Sequence, residues 1–361
     1  MLMPRLLVAT ALGALLLPAP DAPRAQASTF ASQIAVLSEP AGYFDTDNLI
    51  SNERSYLQVM PDLRRASNRG GAYVGVGPDQ NFSYIAAIQP SIAFIIDIRR
   101  DNMLLHLLFK ALFQVSRTRV EYLALLLGRP VPPRLERWRD ASIERLVSYI
   151  DGVRPEPRST EALRARVTVI VGRFGVPLSR QDVETIDRFH RRFIEAGLGL
   201  RFQSTGRPPQ SNYPTYRELL LGRDPDGRAG NYLAAEDAFQ VVRTLQSRDL
   251  VIPVVGNLSG PAALAAIGGV LAQRGHQLSA FYASNVEFYL FGDGTFRDFA
   301  ANLRRIPHSN RSLIIRSVFG RDAWRYAGTG SNSSSHAQSV AGLLDAVATG
   351  KIRSYRDLIE Y

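Results

Sequence analysis

The apolar positions of this chain fall into two patterns. Short continuous runs, Ala72 to Val76, Ile92 to Ile96, Leu250 to Val255, Leu278 to Ala283 and Leu313 to Val318, predict strands covered on both faces, with Tyr232-Leu233 as a further short one. Longer segments with apolar residues three and four apart predict helices. These are Glu53 to Arg65, with Tyr56, Leu57, Met60 and Leu63 on one face, Asp79 to about Ile88, the stripe Leu104 to Phe113, Glu236 to Ser247, Pro261 to Arg274 and Val340 to Ala348. Ser51 or Asn52, Asp79 and Asp101 or Asn102 stand where helix N-caps are expected. Strands alternating with helices imply an α/β fold, a Rossmann-like open and mainly parallel sheet.

The alternation stops from about Thr118 to Arg223. There, Val120 to Leu127, Leu135 to Ile150, Thr160 to Val171 and Val183 to Ala196 read as helices, the last opened by a capping box, Ser179-x-x-Asp182. Prolines mark the joints of this block, among them Pro130, Pro132, Pro133, Pro155, Pro157, Pro208 and Pro209. The expected organisation is a core made of residues 28–115 and 224–327, a helical insertion or cap at 116–223, and a Ser/Gly linker with a C-terminal helix at 328–361.

Residues 1–27 have the form of a signal peptide: Arg5, the apolar run Leu6 to Leu17, then Ala25-Gln26-Ala27. An almost wholly apolar run of twelve residues ended by Pro18 and Pro20 falls short of the roughly 20 that span a bilayer, and no later run is long enough. A chain exported to the periplasm or beyond and starting near Ser28 is the expectation, with an uncleaved N-terminal anchor as the alternative. Cysteine is absent, which removes disulfides and thiolate chemistry and leaves the fold to rest on its core.

The net charge of +10 comes almost wholly from arginine, with Lys110 and Lys351 the only lysines. Arg-Arg pairs at 64–65, 99–100, 191–192 and 304–305 are scattered among acids and apolar residues, so no specific nucleic-acid surface is indicated. The histidines, at 106, 190, 276, 308 and 336, lack metal-ligand spacing, and no metal is expected. No Gly-x-Ser-x-Gly elbow or Gly-x-x-x-x-Gly-Lys-Ser/Thr loop occurs.

Candidate chemistry collects at strand ends. Gly75-x-Gly77 follows the first strand and Asp97 ends the second, twenty-two residues after Gly75. That order suits a nucleotide-type ligand, with the glycines admitting it to the backbone and the acid meeting ribose hydroxyls. Gln80 stands where a dinucleotide fingerprint has its third glycine, which disfavours a pyrophosphate. Right-handed crossovers set Gly75 to Asp79, Asp97, Gly256-Asn257 and Ser284 to Glu287 on one sheet edge, where such folds bind ligands. Ser51-Asn52-Glu53 and Ser284-Asn285-Val286-Glu287 both set Ser-Asn before an acid. Each makes a capping turn, or, in the second, presents Asn285 and Glu287 to a polar substrate.

Tyr73-Val74-Gly75-Val76-Gly77-Pro78-Asp79 with Asp97 resembles the first motif and ribose acid of the class I S-adenosylmethionine-dependent methyltransferase superfamily. Asn231 to Asp237 followed by Leu250 to Asn257 resembles its third and fourth strands. Asp79 replaces the usual third glycine, and Asn257-Leu-Ser-Gly replaces the Pro-Pro-aromatic turn of amino-group methyltransferases. The blocks are also similar to those of exported bacterial proteins without an assigned activity. The resemblance implies that Gly75, Gly77 and Asp79 border S-adenosylmethionine, that Asp97 holds the ribose, and that Glu236 or Asp237 holds the adenine with Asn257 beside it. Glu236 and Asp237 also suit a helix's first turn on dipole grounds alone. Methyl transfer needs in-line positioning and, for some acceptors, a base. Glu287, Glu53 and His106 are the candidates, although the polar boundary of its helix is the stronger reading of His106. Two functions follow: a methyltransferase-like protein binding S-adenosylmethionine or another small adenosyl ligand and acting on a polar acceptor, or an exported binding or scaffolding protein that keeps the crevice without turnover.

Overall fold

The computed structural model describes residues 29–66, 70–207, 210–327 and 332–361, so the expected signal peptide, Pro208-Pro209 and residues 328–331 lie outside the described part. Its centre is a six-stranded sheet of β1 (Ala72–Val76), β2 (Ile92–Asp97), β3 (Val251–Val255), β4 (Leu278–Ser284), β5 (Leu313–Phe319) and β6 (Ser333–Ser339). The spatial order is β3-β2-β1-β4-β5-β6, with β1 to β5 parallel and β6 antiparallel to β5. The order reverses between β1 and β4, and at such a switch point the connections leave in opposite directions and open a crevice beyond the carboxyl ends. The fold is thus α/β and Rossmann-like, as the strand and helix periodicities imply.

Every residue of β1 and β3 is buried, which accounts for their unbroken apolar runs. Pro253 in β3 has no N–H to give a neighbour, and β3 accordingly forms the edge of the sheet. The helix Phe30–Leu37 packs on that edge strand, and Glu39 donates its N–H to Val255 O at 2.7 Å.

Three expectations are corrected. Tyr232-Leu233 lies in a turn rather than a strand, because Tyr232 N–H goes to Ser83 Oγ and Leu233 N–H to Asn231 Oδ1 instead of to a ladder. The helix expected from Glu53 begins as a 3-10 turn at Tyr56–Val59 and continues as Met60–Ala66, leaving Glu53 in the loop before it, with Ser51 Oγ accepting from Glu53 N–H. The Ser-rich linker becomes β6 from Ser333 onward. Serine is a poor strand former, but seven register pairs with β5 and buried hydroxyl contacts override that preference.

The insertion forms helices Arg119–Leu126, Ile143–Gly152, Pro157–Gly172 and Arg180–Ala196, the last with the expected Ser179/Asp182 capping box. It docks on the helix Arg100–Val115 through the Phe109 and Phe193 rings, 6.0 Å apart, and a bidentate Arg100–Asp182 pair. His190 is buried there and donates from Nε2 to Leu125 O at 3.1 Å.

Burial holds the His190 ring neutral and lowers its pKa to about 4. The unfolded chain therefore binds the extra proton first, and this site's contribution is complete above pH ~6.5 and lost as the pH falls toward 4, a loss of about 3 kcal/mol at most. Urea titrations from pH 7.5 to 4 are expected to show a flatter acid decline for His190→Gln, whose amide keeps a donor for Leu125 O; equal slopes in both proteins would refute the assignment.

Candidate functional site

A crevice of about 580 Å³ opens at the carboxyl edge of the sheet, over the switch point. Gly77, Asp97, Asn257, Ser284 and Asn285 line it, each at or just beyond a strand end. The segment 48–53 crosses the same edge and contributes Asn48, Ser51, Asn52 and Glu53. Aromatic rings rim the opening: Tyr43 and Phe288 are more than half exposed, and Phe44 and Tyr289 meet edge to face at 5.0 Å.

The glycine turn is held from within. A Cβ on Gly75 would lie 2.0 Å from Asn81 Oδ1 and 2.5 Å from the Tyr73 hydroxyl, so the space beside Gly75 belongs to Asn81 rather than to a ligand. Asn81 Nδ2 donates to the carbonyls of Val76, Gly77 and Pro78, and its Oδ1 accepts from Tyr73. Gly77 has φ +82°, a conformation that strains other residues, and it does face the crevice. His106 lies beneath the turn rather than at a polar boundary. Its Nε2 donates to Gly77 O at 2.9 Å, and burial lowers its pKa to about 4, so it supports the turn as a neutral ring.

The acids expected around an adenosyl ligand separate. Asp97 stands at the edge, but both its oxygens are engaged by Arg99: Oδ1 accepts from the Arg99 N–H and Nε, Oδ2 from a terminal guanidinium nitrogen at 2.9 Å. Asp79 is turned away from the crevice and buried. It does not cap its helix; Oδ2 accepts from Tyr216 and Tyr232, and burial raises the carboxyl to about 6. Glu236 lies in the first turn of its helix against buried Arg119, and Asp237 is exposed; neither lines the crevice. Asn257 does line it, its Oδ1 accepting from Ser259 N–H and Oγ.

The two Ser-Asn motifs meet. Glu53, 1 % exposed, accepts from Ser284 Oγ on Oε1 and from Ser317 Oγ on Oε2, both at 2.5 Å. Burial raises its pKa, and the Ser284, Ser317 and Tyr282 hydroxyls pull it back down. Behind Ser317 the chain of hydroxyls continues through Ser335 and Ser55 to Ser333. Ser284 itself has φ +53°, a left-handed conformation that costs a non-glycine residue roughly 1–2 kcal/mol, at an irregular point of the β4–β5 ladder. Glu287 is not available to a substrate. It is buried in a bidentate pair with Arg316, 2.7 and 3.2 Å, while Asn285 remains on the crevice wall.

Sequence reasoning missed Asn81, Arg99, Arg316 and the β6 serines. Arg99, two residues from Asp97, and Asn81, within eight residues of all its partners, carried a usable signal; Arg316 and the β6 serines meet their partners only through the sheet. Among the described residues, no cluster of three or more histidines and carboxylates is placed to hold a metal, and no helix is long and apolar enough to cross a membrane.

Residues 48–129 and 211–359 match the family described as Domain of unknown function (DUF7790), and the chain belongs to that family. A search of curated proteins found no match.

Two outcomes check this geometry. Gly75→Ala drives a methyl into Asn81 and is expected to lower stability by about 1–3 kcal/mol in urea unfolding, the usual cost of overpacking; a change under about 0.5 kcal/mol would show that Asn81 gives way freely. The Asp79 carboxyl titrates higher in the fold than in the unfolded chain, so its contribution is greatest below pH ~4 and lost as the pH rises through about 6. Asp79→Asn keeps an oxygen for both tyrosines and should gain stability relative to the parent between those pH values, reaching about 3 kcal/mol above them. A pH-independent difference would rule out the buried charge as the cause.

Proposed function

We propose that this DUF7790 family member binds a small adenosyl ligand, of the S-adenosylmethionine type, in the crevice at the carboxyl edge of its sheet. The observation that carries the proposal is the crevice at the β1/β4 switch point, with the Gly77 turn on one side and Asp97 at the adjoining strand end. Asp97 fits a ribose in spite of its pairing. A carboxylate accepts about four hydrogen bonds, Arg99 supplies three, and Oδ2 keeps a position for a hydroxyl. The exposed rings of Phe44 and Tyr289 offer apolar surface to an adenine, a role the sequence reading gave to Glu236 or Asp237.

Whether the ligand is turned over is a separate matter, and the Glu287–Arg316 pair favours binding without methyl transfer by removing the base expected at Glu287. Methyl transfer to an unidentified polar acceptor remains within the proposal for acceptors that need no base there. Export after cleavage near Ala27 belongs to the same proposal, and it favours an adenosyl ligand other than the methyl donor itself, which an exported protein does not ordinarily meet.

Calorimetry on the chain beginning at Ser28 tests this. S-adenosylmethionine and S-adenosylhomocysteine are expected to bind below about 1 mM, with affinity at least about tenfold weaker in Asp97→Ala, the equivalent of one lost hydrogen bond. A thermal melt of the variant confirms that it is folded. No heat with either ligand at millimolar concentration removes the adenosyl proposal, and binding unchanged in folded Asp97→Ala removes the ribose assignment.

A further inference from the structure

The crevice wall at the end of β4 has chemistry that the adenosyl proposal does not use. Ser284 ends a strand, turns through a left-handed φ of +53° and leads by Asn285 into the helix Val286–Gly292. This tight strand-to-helix turn puts Ser284 on the crevice wall, half-buried, with its hydroxyl proton directed to Glu53 Oε1 at 2.5 Å. The second carboxylate oxygen is fixed by Ser317, which is in turn in contact with Ser335, so the carboxylate is oriented from behind as the serine is presented in front. An activated nucleophile needs these parts: an accessible hydroxyl, a base within hydrogen-bond reach, and a group that orients the base. The sequence has no Gly-x-Ser-x-Gly motif, but that motif serves to make a strained turn of this kind, and here the turn exists without it.

We propose that Ser284 is a nucleophile and Glu53 its general base, acting on a small neutral ester bound in the crevice. Ser284 Oγ forms a bond to the ester carbonyl carbon while its proton passes to Glu53 Oε1. The tetrahedral adduct collapses with cleavage of the carbon–alkoxy bond, and Glu53 returns the proton to the departing alcohol. Water then attacks the acyl-serine, gives a proton to Glu53, and releases the acid as that proton goes back to Ser284. The amides of Asn52 and Asn285, each beside one member of the pair in sequence and on the same crevice walls, are donors for the developing oxyanion. A neutral substrate suits the wall around Ser284, where the charges of Asp97 and Glu287 are already met by Arg99 and Arg316, while Arg207, Asp293 and Asp322 line other parts of the crevice. The inference uses the β4 and β5 side of the edge and does not rest on adenosyl binding.

The test is covalent labelling of the purified full chain with a fluorophosphonate probe, followed by peptide mass mapping, beside hydrolysis of p-nitrophenyl acetate. One adduct at Ser284 is expected, absent in Ser284→Ala, with ester hydrolysis at least about 100-fold slower in Ser284→Ala and in Glu53→Gln. Melting curves identify folded variants, and mapping of the unmodified protein needs no variant, so a Glu53→Gln that fails to fold leaves the test intact. No adduct, an adduct on another residue, or labelling and hydrolysis preserved in folded Ser284→Ala would overturn the proposal.

Discussion

The side-chain amide of Asn81 sits in the space that a Cβ on Gly75 would fill, and the crevice edge depends on that one accommodation. Three carbonyls of the β1 turn converge on its nitrogen, and Tyr73 holds its oxygen, so the turn cannot relax without stranding buried acceptors. His106 fixes the Gly77 carbonyl from the next helix. Gly77 is therefore presented to the crevice in one conformation, while Gly75 is committed to packing. The two glycines of the motif have different physical reasons, and only the second faces the crevice.

The carboxylates near the edge are distinguished by their donors. Asp97 and Glu287 are each gripped by two guanidinium nitrogens, an arrangement that fixes a carboxylate in place. Asp79 has two tyrosines and lies away from the crevice. Glu53 has serine hydroxyls on both oxygens, and one of those serines faces the crevice. A guanidinium does not give up its proton in proteins, whereas a hydroxyl becomes a nucleophile when it does so. Donor type thus makes Glu53 the carboxylate suited to proton transfer, even though Asp97 is the more familiar position for a ligand-binding acid.

Much of the architecture was legible because β1 to β5 are short apolar runs flanked by amphipathic helices, and buried parallel strands have that composition. β6 was not, because serines read locally as linker; their hydroxyls become strand residues only when Ser55, Ser317 and Gln58 meet them from segments far away in the chain. Tyr232 misled in the opposite way, an aromatic residue whose burial comes from the Phe82 and Phe113 rings and Asp79 rather than from a sheet. At the site, positions following strands could be placed on the edge from the order of elements alone. Their partners could not, since Arg316 lies 29 residues from Glu287 and Ser317 lies 264 from Glu53.

The family match divides the crevice in a way that bears on selectivity. Its floor, Glu53, Gly77, Asp97, Asn257, Ser284 and Asn285, falls inside the matched segments 48–129 and 211–359. Part of its rim does not: Tyr43, Phe44 and Thr46 precede the first segment, and Phe202, Ser204 and Arg207 come from the stretch between the two. Those two rim pieces touch one another, through a Thr46–Ser204 bridge and the Asp47 N–H bonded to Gln203 O at 2.9 Å. They also reach the floor, for Arg99 donates to Thr46 O while it holds Asp97. A change in the rim can thus reshape the opening, and through Arg99 alter how Asp97 is presented, without touching the serine–carboxylate pair. The rim and the Ser284–Glu53 pair are then separable, because Arg99 joins the rim to Asp97 and not to that pair.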